Sequence, residues 1–334
     1  MSSDMSNPSW GIVMTAREPA QLVLANVHYH LGQGASEVHV FLDDPDDPAG
    51  AFLSEVANCQ VYRCDAEHWA RVNKGRRPER QTRRQAVNAT YVYRETGVDW
   101  LIHLDADEFL YHHRPLSEEL KYAPQTPGYL ALQVRERAFA GPQKDLFEGV
   151  FRVPFTGRNA LNAQLFGELT PFQTHGVSGH AAGKSCVPTG MDYRISIHAP
   201  RTLSGKRLPP LQSSSTVLLH FDGLTRLHWI VKMLRYQAGK PEGLVGPHRL
   251  AQLEFMRDGC QDLSEIAEFH DMLKAVDDEE CARLSALGLL EHLPFDVGGA
   301  ARGAVTTAGL SLEAKAFDAE LRKRNADLLA VLGK

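Results

Sequence analysis

The 334-residue sequence has no stretch of about 18 consecutive apolar residues, the length that marks a membrane-spanning helix. It also lacks a basic N-terminal leader followed by an apolar run, so we expect no secretory signal peptide. The five cysteines are scattered without paired spacing, which favours reduced thiols over a disulfide framework or a zinc site. Together these absences predict a cytoplasmic globular protein with no transmembrane segment.

The sequence does not favour a nucleic-acid-binding protein or a classical dinucleotide-binding enzyme. The formal net charge is -5, so the chain lacks the overall basic character that attracts nucleic acid. No G-x-G-x-x-G motif follows the first predicted strand, so a classical dinucleotide site is not expected. Oligomeric state does not follow from the sequence.

Strands and helices alternate in the first third of the chain. The predicted strands are Trp10–Thr15, Glu37–Leu42, Cys59–Cys64 and Trp100–Leu104, and the main predicted helices are Ala20–Leu31 and Arg80–Glu95. This alternation predicts an α/β fold with a Rossmann-like, mostly parallel sheet flanked by helices. We divide the chain into an α/β domain at residues 1–240 and a helical C-terminal extension at 241–334. Within that extension, Val297–Gly309 is predicted to interrupt the helices.

An acidic group follows the fourth predicted strand. Asp105, Asp107 and Glu108 come directly after Trp100–Leu104, where carboxylates at the edge of a core repel one another unless a positive group lies among them. Parallel sheets bind ligands beyond the carboxyl ends of their strands. Carboxylate oxygens suit Mg²⁺ or Mn²⁺, which are commonly held together with substrate phosphates. The segment therefore predicts a divalent-cation site, with an acidic turn satisfied by backbone amides and an arginine as the alternative.

Other carboxylate-rich motifs fit less well. An EF-hand loop starting at Asp105 would need glycine at its sixth position, where Leu110 stands. A phosphatase with an aspartyl nucleophile usually continues differently after Asp-x-Asp than the Glu108-Phe109 found here. A metal-dependent phosphohydrolase remains an alternative hypothesis.

The segment DWLIHLDADEFLY, residues 99–111, closely resembles the corresponding segment of family-2-like glycosyltransferases, particularly the group related to glycosyltransferase family 92. The likeness extends back to MTAREPAQLVLANVHYH and forward to GKSCVP, IHAP, LLHFDG and HWIVKMLRY, so it covers roughly residues 10 to 240. The sequence departs from the family at Ala16–Glu18, where Asn-Glu is frequent, and at His220-Phe221, where His-Tyr is common.

This resemblance implies a GT-A fold and a hexosyltransferase-like activity that uses a nucleotide-diphosphate sugar, a glycan or other hydroxyl acceptor, and inversion at the anomeric carbon. It implies Mn²⁺ or Mg²⁺ held by Asp105, Asp107 and His220, with Asp105 on the metal or the ribose and Asp43 on the nucleoside. The residues predicted to bind the nucleotide sugar are Thr15, Arg17, Glu18, Asp43, Gln81, Arg84, Asp105 and Lys184.

Several roles stay open at the level of sequence. The arginine-rich segment Arg71–Arg84 is either a solvated surface or a source of phosphate contacts, of which Arg84 and Gln81 are the best candidates. Lys184 either pairs with a phosphate or caps a loop. Glu136 and Asp192 are both candidates for the catalytic base, and the sequence does not decide between them. A catalytically silent carbohydrate-binding or assembly protein of the same fold is the alternative function.

Overall fold

The structure is a computed structural model that describes residues 7–123, 128–141, 143, 145–157, 161–239 and 245–330. The chain forms two compact units. Unit 1 contains Met1–Gln133, Ala182–Leu218 and Val297–Leu310, and unit 2 contains Val134–Ala181, Leu219–Asp296 and Ser311–Lys334. The domain boundary predicted between residues 240 and 241 lies outside the described residues, and that division stays a prediction.

The strands are numbered in chain order. They are β1 (Trp10–Ala16), β2 (Glu37–Leu42), β3 (Cys59–Arg63), β4 (Trp100–His103), β5 (Glu108–His112), β6 (Tyr129–Ala138), β7 (Val150–Arg152), β8 (Lys184–Pro188), β9 (Tyr193–Arg194), β10 (Arg201–Thr202), β11 (Pro210–His220) and β12 (Leu290–Glu291).

The helices follow the same numbering. They are α1 (Ala20–Gly32), α2 (Ala49–Leu53), α3 (Ala66–Asn73), α4 (Gln81–Glu95), α5 (Leu116–Leu120), α6 (Asn162–Phe166), α7 (Arg226–Ala238), α8 (Pro247–Gly259), α9 (Leu263–Lys274), α10 (Asp278–Ala286), α11 (Gly298–Thr307), α12 (Ala314–Arg324) and α13 (Ala326–Leu329). A 3-10 helix spans Gly167–Phe172. Within the described residues, no helix is both long and apolar enough to cross a membrane.

Unit 1 is built on a sheet with the strand order β6-β8-β4-β1-β2-β3. Strands β4, β1, β2 and β3 are parallel, whereas β8 pairs antiparallel with β4 and β6. Every residue of β1 is buried, as expected for a parallel strand that is covered on both faces. The predicted α/β fold class with a parallel central sheet flanked by helices is therefore confirmed.

The spacing of buried residues in helix α4 explains how this helix packs against the sheet. Its buried positions, which include Arg84, Gln85, Asn88, Ala89 and Val92, recur every three or four residues. The apolar members join the core on one face of the sheet, and the polar members reach the carboxyl ends of the strands. One helix thus contributes both to the core and to the candidate site.

The predicted interruption at Val297–Gly309 is wrong. Residues Gly298–Thr307 form α11, which packs against α1 in unit 1. Ala301 and Val305, one turn apart, are its buried positions. Tertiary burial of these small apolar side chains outweighs the low helix propensity of the three glycines in the segment.

Unit 2 combines a short antiparallel sheet with helices. Residues Glu136 to Ala138 of β6 pair with β7, which in turn pairs with β12. Helices α7, α8 and α9 surround an aromatic core that contains Trp229 and Phe269. A second cluster contains Val150 and Leu290.

Candidate functional site

The predicted acidic group lies in the tight connection between β4 and β5 of unit 1. The backbone N–H of Asp105 donates to Oε2 of Glu108 at 2.7 Å, and the N–H of Glu108 donates to the carbonyl of Asp105 at 3.1 Å. Asn26 of α1 donates its side-chain N–H groups to the carbonyls of Ala106 at 3.1 Å and Glu108 at 2.8 Å. The conformation of this turn is therefore fixed both by its own hydrogen bonds and by helix α1.

Lys184, the first residue of β8, supplies a positive charge among these acids. Its ammonium group lies 2.8 Å from Oδ2 of Asp105 and 3.0 Å from Oε2 of Glu108. Lys184 and Glu108 are buried, whereas the Asp105 side chain keeps 34% of its exposure. Burial by itself would raise the pKa of Asp105, but the neighbouring ammonium group outweighs it and lowers the pKa. The pKa of Lys184 is raised by the two carboxylates despite burial.

The carboxylate oxygens of this turn are suitable ligands for a divalent cation. The turn contains three carboxylates, whose oxygens are the hard ligands that Mg²⁺ and Mn²⁺ prefer. Gln85 of α4 donates to Oδ1 of Asp105, and carboxylate oxygens have lone pairs for a further interaction. Asp107 is 7% exposed. Residues Asp105 and Asp107 are thus of the right type to hold Mg²⁺ or Mn²⁺.

Asp43, which follows β2 in unit 1, forms a bidentate ion pair with Arg84 of α4. Arg84 Nε and Nη2 lie 2.6 and 2.7 Å from the two carboxylate oxygens of Asp43. Arg84 Nη1 donates to the carbonyls of Pro78 and Glu79, and Arg77 adds a contact of 3.0 Å to Asp43. The guanidinium group of Arg84 is therefore committed to protein acceptors, which explains why an arginine of this segment is buried.

The other residues predicted to bind the nucleotide sugar differ in exposure. Thr15 is buried and its hydroxyl accepts a hydrogen bond of 3.0 Å from Asn88. Glu18 is half-buried, whereas Arg17 and Gln81 are exposed. All of them belong to unit 1: Thr15 lies near the end of β1, Arg17 and Glu18 follow that strand, and Gln81 begins α4.

Sequence reasoning missed His103, the last residue of β4. It is 3% exposed, and within the described part of the chain neither ring nitrogen has a hydrogen-bond partner. Burial, reinforced by the charge of Lys184, lowers its pKa to about 4. A neutral buried imidazole with both nitrogens unsatisfied is unusual. Its position two residues before Asp105 was the signal available in the sequence.

His220, predicted as a metal ligand, lies at the end of β11 and belongs to unit 2. Its ring stacks on His180 of the same unit, with 4.5 Å between the ring centroids. His220 Nδ1 lies 3.8 Å from Oε2 of Glu136. The predicted ligand is therefore an imidazole beside a second histidine and a carboxylate.

Glu136, a candidate for the catalytic base, is fully buried in unit 2. It accepts hydrogen bonds from Ser178 N–H at 2.7 Å, Ser178 Oγ at 2.8 Å and Gly179 N–H at 2.6 Å. Lys274 lies 3.2 Å away. Although burial raises the pKa of Glu136, Lys274 and the other donors lower it to about 2. Such a carboxylate is held as an anion by fixed donors, which does not favour proton uptake.

Glu136 belongs to a larger buried ion cluster within unit 2. Asp222 lies 3.2 Å from Lys274, 3.1 Å from Arg249 and 3.0 Å from Lys232. These partners are not near neighbours in the sequence, so no local motif predicts the cluster. The other base candidate, Asp192, is exposed in unit 1 between β8 and β9.

Two solved structures resemble this chain at low sequence identity. No protein-family model matches the chain, and no curated protein matches it. A structure of GalNAc-T7 with UDP, GalNAc and Mn²⁺ aligns with 79% of this chain and 57% of its own, at 12% identity and a TM-score of 0.33. The structure of S. aureus TarS aligns with 97% of this chain and 54% of its own, at 9% identity and a TM-score of 0.35.

Both of these proteins are GT-A glycosyltransferases. The present chain spans little more than half the length of each. At these identities and TM-scores, neither structure assigns a family or an activity to this chain.

Proposed function

We propose that the protein is a metal-dependent glycosyltransferase that moves a sugar from a nucleotide-diphosphate sugar to an acceptor hydroxyl with inversion. The observation that carries the proposal is the acidic turn at the carboxyl end of β4, which places Asp105, with a third of its side chain exposed, close in sequence to Asp107 and beside Glu108 and Lys184. A divalent cation bound there would neutralise a diphosphate and so stabilise it as the leaving group.

In this proposal each residue of the turn has a distinct role. Asp105 and Asp107 hold the cation, while Glu108 and Lys184 fix the position of Asp105. The ligand role of His220, which belongs to unit 2, stays a prediction. Asp43, after β2, contacts the nucleoside, and Thr15, near the end of β1, contacts the nucleotide sugar. Parallel α/β sheets bind ligands at this edge.

The remaining predicted contacts differ in how they reach the donor. Arg17, Glu18 and Gln81 are accessible enough to contact the donor, whereas Lys184 and Arg84 act through the carboxylates that they hold. The acceptor hydroxyl must lose a proton as it attacks the anomeric carbon. Of the two base candidates, Asp192 is the accessible one, because the Glu136 carboxylate is already saturated with donors.

A catalytically silent binding protein is the second candidate, and one observation favours it. Lys184 contacts both Asp105 and Glu108, so part of the charge that a metal would neutralise is already compensated. A protein of this kind would bind a sugar or a partner protein without releasing nucleoside diphosphate.

Calorimetric titration tests the proposal. Purified protein is titrated with UDP and with GDP, each with and without Mn²⁺; UDP and Mn²⁺ are the ligands present in the GalNAc-T7 structure. We expect metal-dependent binding of one nucleotide, lost in Asp107→Ala and retained in Glu95→Ala, which removes an exposed carboxylate of α4. The absence of metal-dependent binding to either nucleotide would overturn the proposal.

Turnover then separates the two candidate functions. A transferase releases nucleoside diphosphate from the matching nucleotide sugar, by transfer or by slow hydrolysis, and chelation stops the release. A silent protein binds the nucleotide sugar without releasing the diphosphate. A phosphohydrolase would instead release inorganic phosphate and lose that activity in Asp105→Asn.

A further inference from the structure

The first turn of α4 carries an unusual concentration of positive charge. Arg80 precedes the helix at its N-cap position, and Arg83 and Arg84 lie in the first turn. No acidic residue is present in that turn, and Arg80 makes no side-chain capping hydrogen bond. Because the N-terminal end of a helix is itself positive, cations there are unfavourable unless an anion compensates them.

Only one of these arginines has such an anion within the described residues. Arg84 pairs with Asp43, whereas Arg80 and Arg83 have no acidic or hydrogen-bonding partner for their guanidinium groups in the part of the chain that the structure describes. Arg80 at the N-cap and Arg83 in the first turn are three positions apart, and both side chains are exposed. Their guanidinium groups are therefore available to bind an anion.

These two arginines line the same cavity, which lies entirely within unit 1. It has a volume of about 450 Å³, within the range typical of small-molecule sites. The cavity is lined by Arg80, Thr82, Arg83, Ala86, Ser196 and Ile197. The lining thus offers two guanidinium groups and two hydroxyls and contains no carboxylate. A site of this composition binds an anion directly, without a metal ion.

The cavity adjoins the proposed donor site without sharing its residues. Arg84 and Gln85, on the neighbouring face of α4, contact Asp43 and Asp105. The donor site is rich in carboxylates and needs a cation to hold a diphosphate, whereas the only charged residues that line the cavity are the two arginines. Two sites of opposite charge, side by side at one end of α4, suit two different phosphorylated groups.

We propose that this cavity binds a phosphate group carried by the acceptor, so that the acceptor is a phosphorylated sugar or glycan. This inference rests on the proposed transferase function. The shared chemistry is a phosphate group, which could come from the acceptor or from the nucleotide, and the experiment distinguishes the two sources.

The test uses the full chain and two probes, a hexose 6-phosphate and UDP or GDP with Mn²⁺. The double variant Arg80→Ala/Arg83→Ala removes both cavity arginines. The matched control Arg94→Ala/Lys315→Ala removes two exposed positive charges that do not line the cavity. Thermal unfolding of both double variants verifies that they are folded, and the unphosphorylated hexose measures binding that does not depend on the phosphate.

We expect the cavity variant to bind the hexose phosphate at least about tenfold more weakly than wild type, which corresponds to the loss of charge-assisted hydrogen bonds. The control variant should match wild type, and metal-dependent nucleotide binding should be unchanged in both. A parallel loss of nucleotide binding in the cavity variant would place the arginines in the donor site and overturn the proposal. Equal affinity of wild type and cavity variant for the hexose phosphate would overturn it as well.

The two proposals can fail separately. If wild type binds the hexose phosphate through Arg80 and Arg83 but binds no nucleotide with Mn²⁺, the transferase function fails, and the assignment of the cavity to an acceptor fails with it. If nucleotide binds and the hexose phosphate does not, only the acceptor subsite fails.

Discussion

The ammonium nitrogen of Lys184 lies 2.8 Å from Oδ2 of Asp105, although 79 positions separate the two residues in the sequence. The same ammonium group contacts the fully buried Glu108. The ion pair with Glu108 fixes the position of Lys184, and Lys184 in turn fixes Asp105 at the edge of the sheet. About a third of the Asp105 side chain is exposed. This arrangement leaves Asp105 accessible while the buried acid is compensated.

Replacing Lys184 with methionine tests this arrangement. The variant leaves Glu108 and Asp105 without their cation, so we expect the free energy of unfolding to fall by about 3 kcal/mol, as for other buried ion pairs that lose one partner. Urea denaturation measures the change. Lys206→Met is the control, because Lys206 is exposed. An equal loss in the two variants would show that the buried contact does not contribute to stability.

Arg84→Lys tests the geometry of the pair with Asp43. Lysine keeps the charge but cannot reproduce the two parallel N–H donors that contact both carboxylate oxygens. We expect the free energy of unfolding to fall by about 2 kcal/mol, because the substitution removes hydrogen bonds between charged groups. The neighbouring exposed residue supplies the control: Arg83→Lys should change stability by less than about 0.5 kcal/mol. Similar values for both would contradict a structural role for Arg84.

Acid titration tests the buried carboxylate of unit 2. The folded pKa of Glu136 is lowered to about 2, from an ordinary value of 4.5. Its contribution to stability is therefore complete above pH 4.5 and is lost as the pH falls toward 2. Glu136→Gln should lower stability at pH 7 and give a shallower decline below pH 4.5. Chemical denaturation at several pH values measures this, and a decline in Glu136→Gln as steep as that in the exposed-site control Glu279→Gln would refute it.

His103 should make the stability of the protein depend on pH in a higher pH range than Glu136 does. Burial lowers its folded pKa from 6.5 to about 4, so the unfolded chain binds a proton more readily than the folded protein between these values. Stability should be complete above pH 6.5 and decrease as the pH falls toward 4. His103→Leu should be at least as stable as wild type at pH 7, because the ring nitrogens lack partners in the described structure, and should lose less stability at pH 5.

Thermal unfolding at pH 7 and pH 5 provides the measurement for His103. The exposed His292→Leu is the matched control and should retain the pH dependence of wild type. Destabilisation of His103→Leu at pH 7 would instead show that the imidazole makes a stabilising interaction in the folded protein.

The spacing of apolar residues predicted the strands and helices on which the candidate site is built. Strand β2 was predicted at the observed bounds, and the predictions for β1, α1, α4 and β4 agree with the structure to within one residue. Periodicity is a local property, because a strand alternates every two residues and a helix repeats every three or four. The same logic placed Asp105 and Asp107 directly after β4. It failed at α11, where packing on α1 decides the conformation of a glycine-rich segment.

The sequence by itself determined the alternating elements of unit 1 and the position of the acids at the end of β4. Only the tertiary structure decided which charges meet: Lys184 with Asp105 and Glu108, Arg84 with Asp43, and the cluster around Asp222. Ion pairs depend on distances of a few ångströms between side chains that are remote in sequence. No local spacing encodes those distances, whereas the hydrogen bonds of a helix or the alternation of a strand arise between near neighbours.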